Sequence, residues 1–143
     1  MITRHSRITW MLALGVSLGT ASVSFGVSPE PCKVLTPEAW GGIMGYTATA
    51  IPGDGNCTYE GANKAGGGQF RIMAVTSSSA EAESSVKRMR EHQAHSSHGA
   101  GLSVIDSQGP VVFSIALFQH SATDASAGQL QKLSAAAKQH LPK

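Results

Sequence analysis

Two cysteines, Cys32 and Cys57, follow closely on an apolar leader, and no other cysteine is present. An exported chain meets an oxidising compartment, so two such thiols are expected to join as one disulfide. Closing a loop of about 25 residues is worth roughly 3 kcal/mol in the chain-entropy account. That staple would tie the first helix to a nearby strand before any other feature of the fold is considered.

The leader reads as a secretory signal over residues 1–26. Arg4, His5 and Arg7 make a basic start, Ile8 to Leu18 is mostly apolar, and Gly19 and Ala21 fit a cleavage site, with Ser24 and Gly26 as a second choice. Gly15, Ser17 and Gly19 interrupt the apolar run, which is short of the about 20 residues a membrane span needs. The whole chain carries 11 Lys plus Arg against 9 Asp plus Glu. Arg4 and Arg7 leave with the leader and no acid does, so nine basic side chains then balance nine acidic ones. The basic balance therefore belongs to the targeting segment, and nothing points to nucleic acid or to a stable membrane anchor after cleavage. Residues 27–143 suit a single domain.

Local signals order the rest. Val27 to Pro31 reads as an extended lead-in. Thr36 as N-cap, Pro37 at the first helical position and Gly45 at the end predict a short helix. Thr47–Ile51 and Cys57-Thr58-Tyr59 read as strands around a turn at Pro52 to Asn56, and Asn63 to Gly68 as a glycine-rich loop. Gln69 to Thr76 alternates: Phe70, Ile72 and Ala74 fall on a buried face, and Arg71, Met73 and Val75 on a partly covered one. Ser77-Ser78-Ser79 caps a helix from Ala80 to about Ser96, with Ala82, Val86, Met89 and Gln93 on one stripe and Glu83 and Lys87 as a favourable pair. A hairpin follows, with strands at Leu102 to Ile105 and Val111 to Phe118. Thr123 or Asp124 then caps a last helix bearing Leu130, Leu133, Ala137 and Leu141. Hairpins dominate this order. The expectation is an α+β fold: an antiparallel sheet of about four to five strands packed against helices, with one disulfide.

At Pro31-Cys32-Lys33-Val34-Leu35-Thr36, with Gly45 and Cys57-Thr58-Tyr59 following, the chain resembles a group of bacterial envelope proteins of unknown function. Many of these are actinobacterial lipoproteins or secreted domains with a P-C-x-L-L-T … C-T-Y/W pattern. The resemblance implies an α/β sandwich, a structural disulfide and a cell-envelope location. It carries over no catalytic residues. Ala39 stands where the group usually has an acid, and no cysteine directly follows the leader to take a lipid.

Few constellations suggest chemistry. His92, His95 and His98 recur every three residues and would share an arc of about 120° on a helix. Neutral imidazoles suit zinc, copper or nickel, although the H-E-x-x-H spacing of zinc proteases is absent. Histidines at a polar helix end are the plainer reading. Ser84 to Lys87 formally fits S-x-x-K but lacks the companion motifs. Gly66-Gly67-Gly68 lacks the Lys-Ser/Thr of a phosphate loop. Trp40, Tyr46 and Tyr59 could line an aromatic patch, with core packing the expected role of Trp40 and Tyr59. The expectation is a periplasmic or secreted, non-enzymatic domain without cofactor that binds an envelope protein or a small ligand. The alternative is a metal-handling protein using His92, His95 and His98.

Overall fold

A computed structural model describes residues 28–95, 102–118 and 124–143. The expected signal sequence lies outside these residues. Among the described residues, four α-helices and five strands follow one another: α1 (Pro31–Val34), α2 (Pro37–Met44), β1 (Ala48–Gly53), β2 (Asn56–Gly61), β3 (Gly67–Val75), α3 (Ser79–His95), β4 (Ser103–Gln108), β5 (Val111–Phe118) and α4 (Asp124–His140). The strands form one antiparallel sheet in the order β1-β2-β3-β5-β4. The α+β class, the five-stranded antiparallel sheet and the disulfide between Cys32 and Cys57 all match the expectation.

The first helix pair is set by local chemistry. The Thr36 hydroxyl accepts from the Ala39 N–H at 3.2 Å, Pro37 opens α2, and Gly45 closes it at φ 82°. The expected lead-in up to Pro31 differs: Pro31–Val34 is already a helical turn. Such a short helix has no local stability of its own. The disulfide through Cys32 and the burial of Val34 and Leu35 hold it in place.

Trp40 decides the next departure. Gly67 and Gly68, expected in a loop, begin β3 and pair with Glu60 and Tyr59. The indole of Trp40 lies directly over Gly68, where an added Cβ would meet the ring at 2.5 Å. The glycine is thus a strand residue chosen for close approach. The loop before it shrinks to a 3-10 turn at Ala62–Lys64, with Asn63 and Lys64 both at φ 57°.

Helices cover both faces of the sheet. On one face α1, α2 and α4 bury Trp40, Met44, Leu130, Leu133 and Ala137 against Tyr59, Phe70, Phe113 and Ile115. On the other, α3 buries Ala82 and Val86 against Ile105 and Val112. The expected alternation of β3 holds only up to Ile72. A bulge between Ile72 and Ala74 shifts the register, so Ile72 pairs with Phe113 on the larger core while Ala74 pairs with Val112 on the smaller one. Met73 and Val75, expected to be partly covered, are exposed.

The two edges of the sheet are finished differently. At β4, the outward carbonyl of Ile105 accepts from Arg90 Nε at 2.9 Å, and the Ser107 N–H donates to Asp106 Oδ1 at 2.8 Å. Asp106 also meets Lys138 Nζ at 2.7 Å, Arg90 at 3.6 Å and the Ser134 hydroxyl at 2.9 Å. Side chains of α3 and α4 thereby seal this edge. At β1, Pro52 has no N–H to offer a further strand.

Candidate functional site

The smaller helix layer leaves half a sheet face open. α3 lies over β4 and β5. The same face of β1, β2 and β3 carries Thr49, Ile51, Thr58, Glu60, Gln69 and Arg71, with no helix above them among the described residues. Strand alternation puts them there: each is flanked by residues turned to the larger core, such as Tyr59 beside Thr58 and Phe70 beside Gln69 and Arg71.

Cross-strand pairing arranges these side chains in rows. Ile51, Thr58, Gln69 and Ala116 lie side by side, as do Asn56, Arg71 and Ser114. The Gln69 amide donates at 3.3 Å to both Asn56 Oδ1 and Thr58 Oγ1, which fixes the middle of the surface. Asn56 is itself held by the Asp54 carbonyl at 3.0 Å. Towards the other end the face dips into a hollow of about 550 Å³. Thr58, Glu60, Lys64 and Phe118 line it together with the backbone of Gly66 and Gly67. Phe118 is 43% exposed, a large aromatic side chain facing water. The hollow thus offers a cation, a carboxylate, a hydroxyl, bare peptide groups and an aromatic surface. Such a set suits hydrogen bonding and stacking with a partner or small ligand.

None of these residues stood out as a site in the sequence. The usable signal was the polar member of each alternating pair, at Thr58, Gln69 and Arg71, on strands whose other face is fully apolar. An ordinary solvated face gives the same signal.

The residues singled out from the sequence are placed as follows. Cys32 and Cys57 are joined, with Cα atoms 5.1 Å apart and Cys57 fully buried. His92 is exposed on the last turns of α3, His95 is the final residue of that helix, and His98 lies outside the described residues. Among the described residues, no group of three His, Cys, Asp or Glu side chains converges on a point. Ser84 and Lys87 are both exposed on α3. The expected Glu83–Lys87 pair does not form; the charged side chains of this helix instead turn to neighbours, Glu81 to Ser77 and Arg90 to the β4 edge. Trp40 and Tyr59 are core residues, stacked with ring centroids 4.2 Å apart. Tyr46 is half-buried and its hydroxyl accepts from the Trp40 indole N–H at 2.9 Å.

Comparison of the chain with protein-family models, with curated proteins and with solved structures finds no match. The three strongest pKa perturbations also lie off the open face. Burial pushes the Tyr59 phenol up. At Asp106 partial burial works to raise the carboxyl, but Lys138, the Ser107 N–H and the Ser134 hydroxyl outweigh it and hold it below its ordinary value. Glu81 is lowered by the hydroxyl and N–H of Ser77 at the α3 cap. All three have structural causes.

Proposed function

We propose that this chain is an exported, non-enzymatic domain of the cell envelope that binds a partner or ligand across the open half of its sheet. The observation that carries the reading is the uneven cover. One face is covered by α1, α2 and α4, whereas the β1-β2-β3 half of the other keeps an ordered polar surface beside an exposed Phe118. Support for export comes from the leader and from the Cys32–Cys57 disulfide, which needs an oxidising compartment to persist. The resemblance to secreted actinobacterial domains agrees with an envelope location.

The test is chemical-shift mapping of the oxidised mature domain against defined envelope fractions: muropeptides, anionic lipid vesicles and soluble periplasmic protein. Shifts gathered at Thr58, Glu60, Gln69, Arg71 and Phe118, and weakened at least tenfold by Phe118→Ala, support the reading. Shifts confined to α3 around His92 on addition of zinc, with none on the open face in any fraction, would replace it with metal handling.

A further inference from the structure

Among the described residues, one oxidisable sulfur faces water. The chain has five methionines, of which Met1 and Met11 lie in the expected leader. Met44 is 8% exposed in the larger core, and Met89 is half-buried against the smaller one. Met73 is 41% exposed. Both cysteines are taken up in the Cys32–Cys57 bond, so no thiol competes with it. Trp40, another readily oxidised side chain, is fully buried.

The fold explains why Met73 is bare. The β2 strand stops beside it: Asn56 pairs with Arg71, and the Ile72 N–H donates to the Gly55 carbonyl at 2.9 Å. On the other side, the smaller helix layer reaches Ala74 and ends there. Met73 falls between the two covers. It is also the extra residue of the β3 bulge, the one position between Ile72 and Ala74 with no partner on β5. Neither the register nor either core therefore depends on what its side chain is.

We propose that Met73 is a peroxide-modification site, oxidised to its sulfoxide ahead of Met44 and Met89 and without loss of the fold. The step is an oxygen transfer. A lone pair of the Met73 sulfur attacks one oxygen of hydrogen peroxide, an S–O bond forms as the O–O bond breaks, and the second oxygen leaves as water. The sulfur gives up two electrons and the peroxide takes them. The product exchanges a soft apolar thioether for a strong hydrogen-bond acceptor. At Met73 that acceptor stands in water, where it is satisfied at once. At Met44 the same oxygen would be buried among apolar side chains, where an unpaired polar group is costly. Exposure thus sets the order of reaction, and position in the bulge sets its harmlessness.

The test is a time course of the disulfide-bonded mature chain in hydrogen peroxide, with a chelator to hold off trace metals. Peptide mapping by mass spectrometry reads the oxygen gained at each methionine. The expected result is oxidation of Met73 before Met89 and at least tenfold faster than Met44, at a rate close to that of a free methionine peptide. The singly oxidised protein should keep the circular dichroism and melting transition of the untreated one. Met73→Leu, a change of similar volume, should fold normally and lose the fast phase. Equal rates at Met73 and Met44, or a Met73 that reacts at least tenfold more slowly than the free peptide, would overturn the proposal. So would a domain that unfolds once Met73 alone carries the oxygen.

Discussion

Trp40 lies flat on Tyr59, ring centroids 4.2 Å apart and planes 7° from parallel, and the same indole covers Gly68 on the next strand. This stack joins α2 to the centre of the sheet. Tyr59 also reaches beyond it: its hydroxyl donates to the buried carbonyl of Leu35, between the first two helices. One side chain therefore supplies both a packing surface and a hydrogen bond to a buried peptide group.

Tyr59→Phe keeps the stack and removes that donor. The Leu35 carbonyl is left without a partner in the core, which costs about 1–3 kcal/mol. Urea unfolding followed by Trp40 fluorescence measures it. The alkaline limb carries a second signature. Tyr59 stays protonated in the folded domain well above the ordinary tyrosine value of about 10 while it ionises in the unfolded chain. The stability it contributes is complete below that pH and falls as pH rises beyond it. Tyr59→Phe removes this part of the decline.

Gly68→Ala is expected to destabilise by about 1–3 kcal/mol, because the new methyl group meets the Trp40 ring and the Ala116 carbonyl at once. Gly42→Ala, with open space around it in a helix, is its control and should be neutral or stabilising. Thermal melts of the two variants side by side decide the point.

Reduction of the Cys32–Cys57 bond, or Cys32→Ser with Cys57→Ser, should cost about 3 kcal/mol. The loss should appear first in α1, a single turn whose Cys32 end is held by the disulfide. Hydrogen exchange at Leu35, whose N–H bonds the Pro31 carbonyl at 3.1 Å, reads this locally.

Asp106 gives the acid limb. Its carboxyl is held below the ordinary range in the folded state, so it contributes stability above the unfolded value of about 3.9. That contribution is lost as pH falls through the lower folded value. Asp106→Asn should cost about 1–3 kcal/mol near neutrality, since charge-assisted bonds to Lys138 and Ser134 go with it. The variant's stability should then change less than the natural chain's on acidification from pH 5 to pH 3, a comparison made by urea titration across that range.

What the amino-acid order revealed follows the reach of each signal. Thr36, Pro37 and Gly45 act on their own helix, so their caps could be read directly. The nearly unbroken apolar run from Val111 to Phe118 marks a central strand, and β5 lies between β3 and β4. Gly67 and Gly68 looked like loop residues because the reason for them, the Trp40 indole, sits far away in sequence. The side taken by α3 was equally hidden, since it depends on a bulge at Ile72 and Ala74 that simple alternation does not foretell. The open face was the least visible. Thr58, Gln69 and Arg71 become a surface only once their strands are neighbours and the roof above them stops short.

That bulge has a further consequence. Because β3 changes its inward side part-way along, its two ends answer to different hydrophobic layers, and the spare residue at Met73 sits between them. Ile72 and Ala74 already oppose the adjacent Phe113 and Val112, so removing Met73 would put them in plain register and each half would keep its layer, and exchanging Met73 for another side chain would do the same.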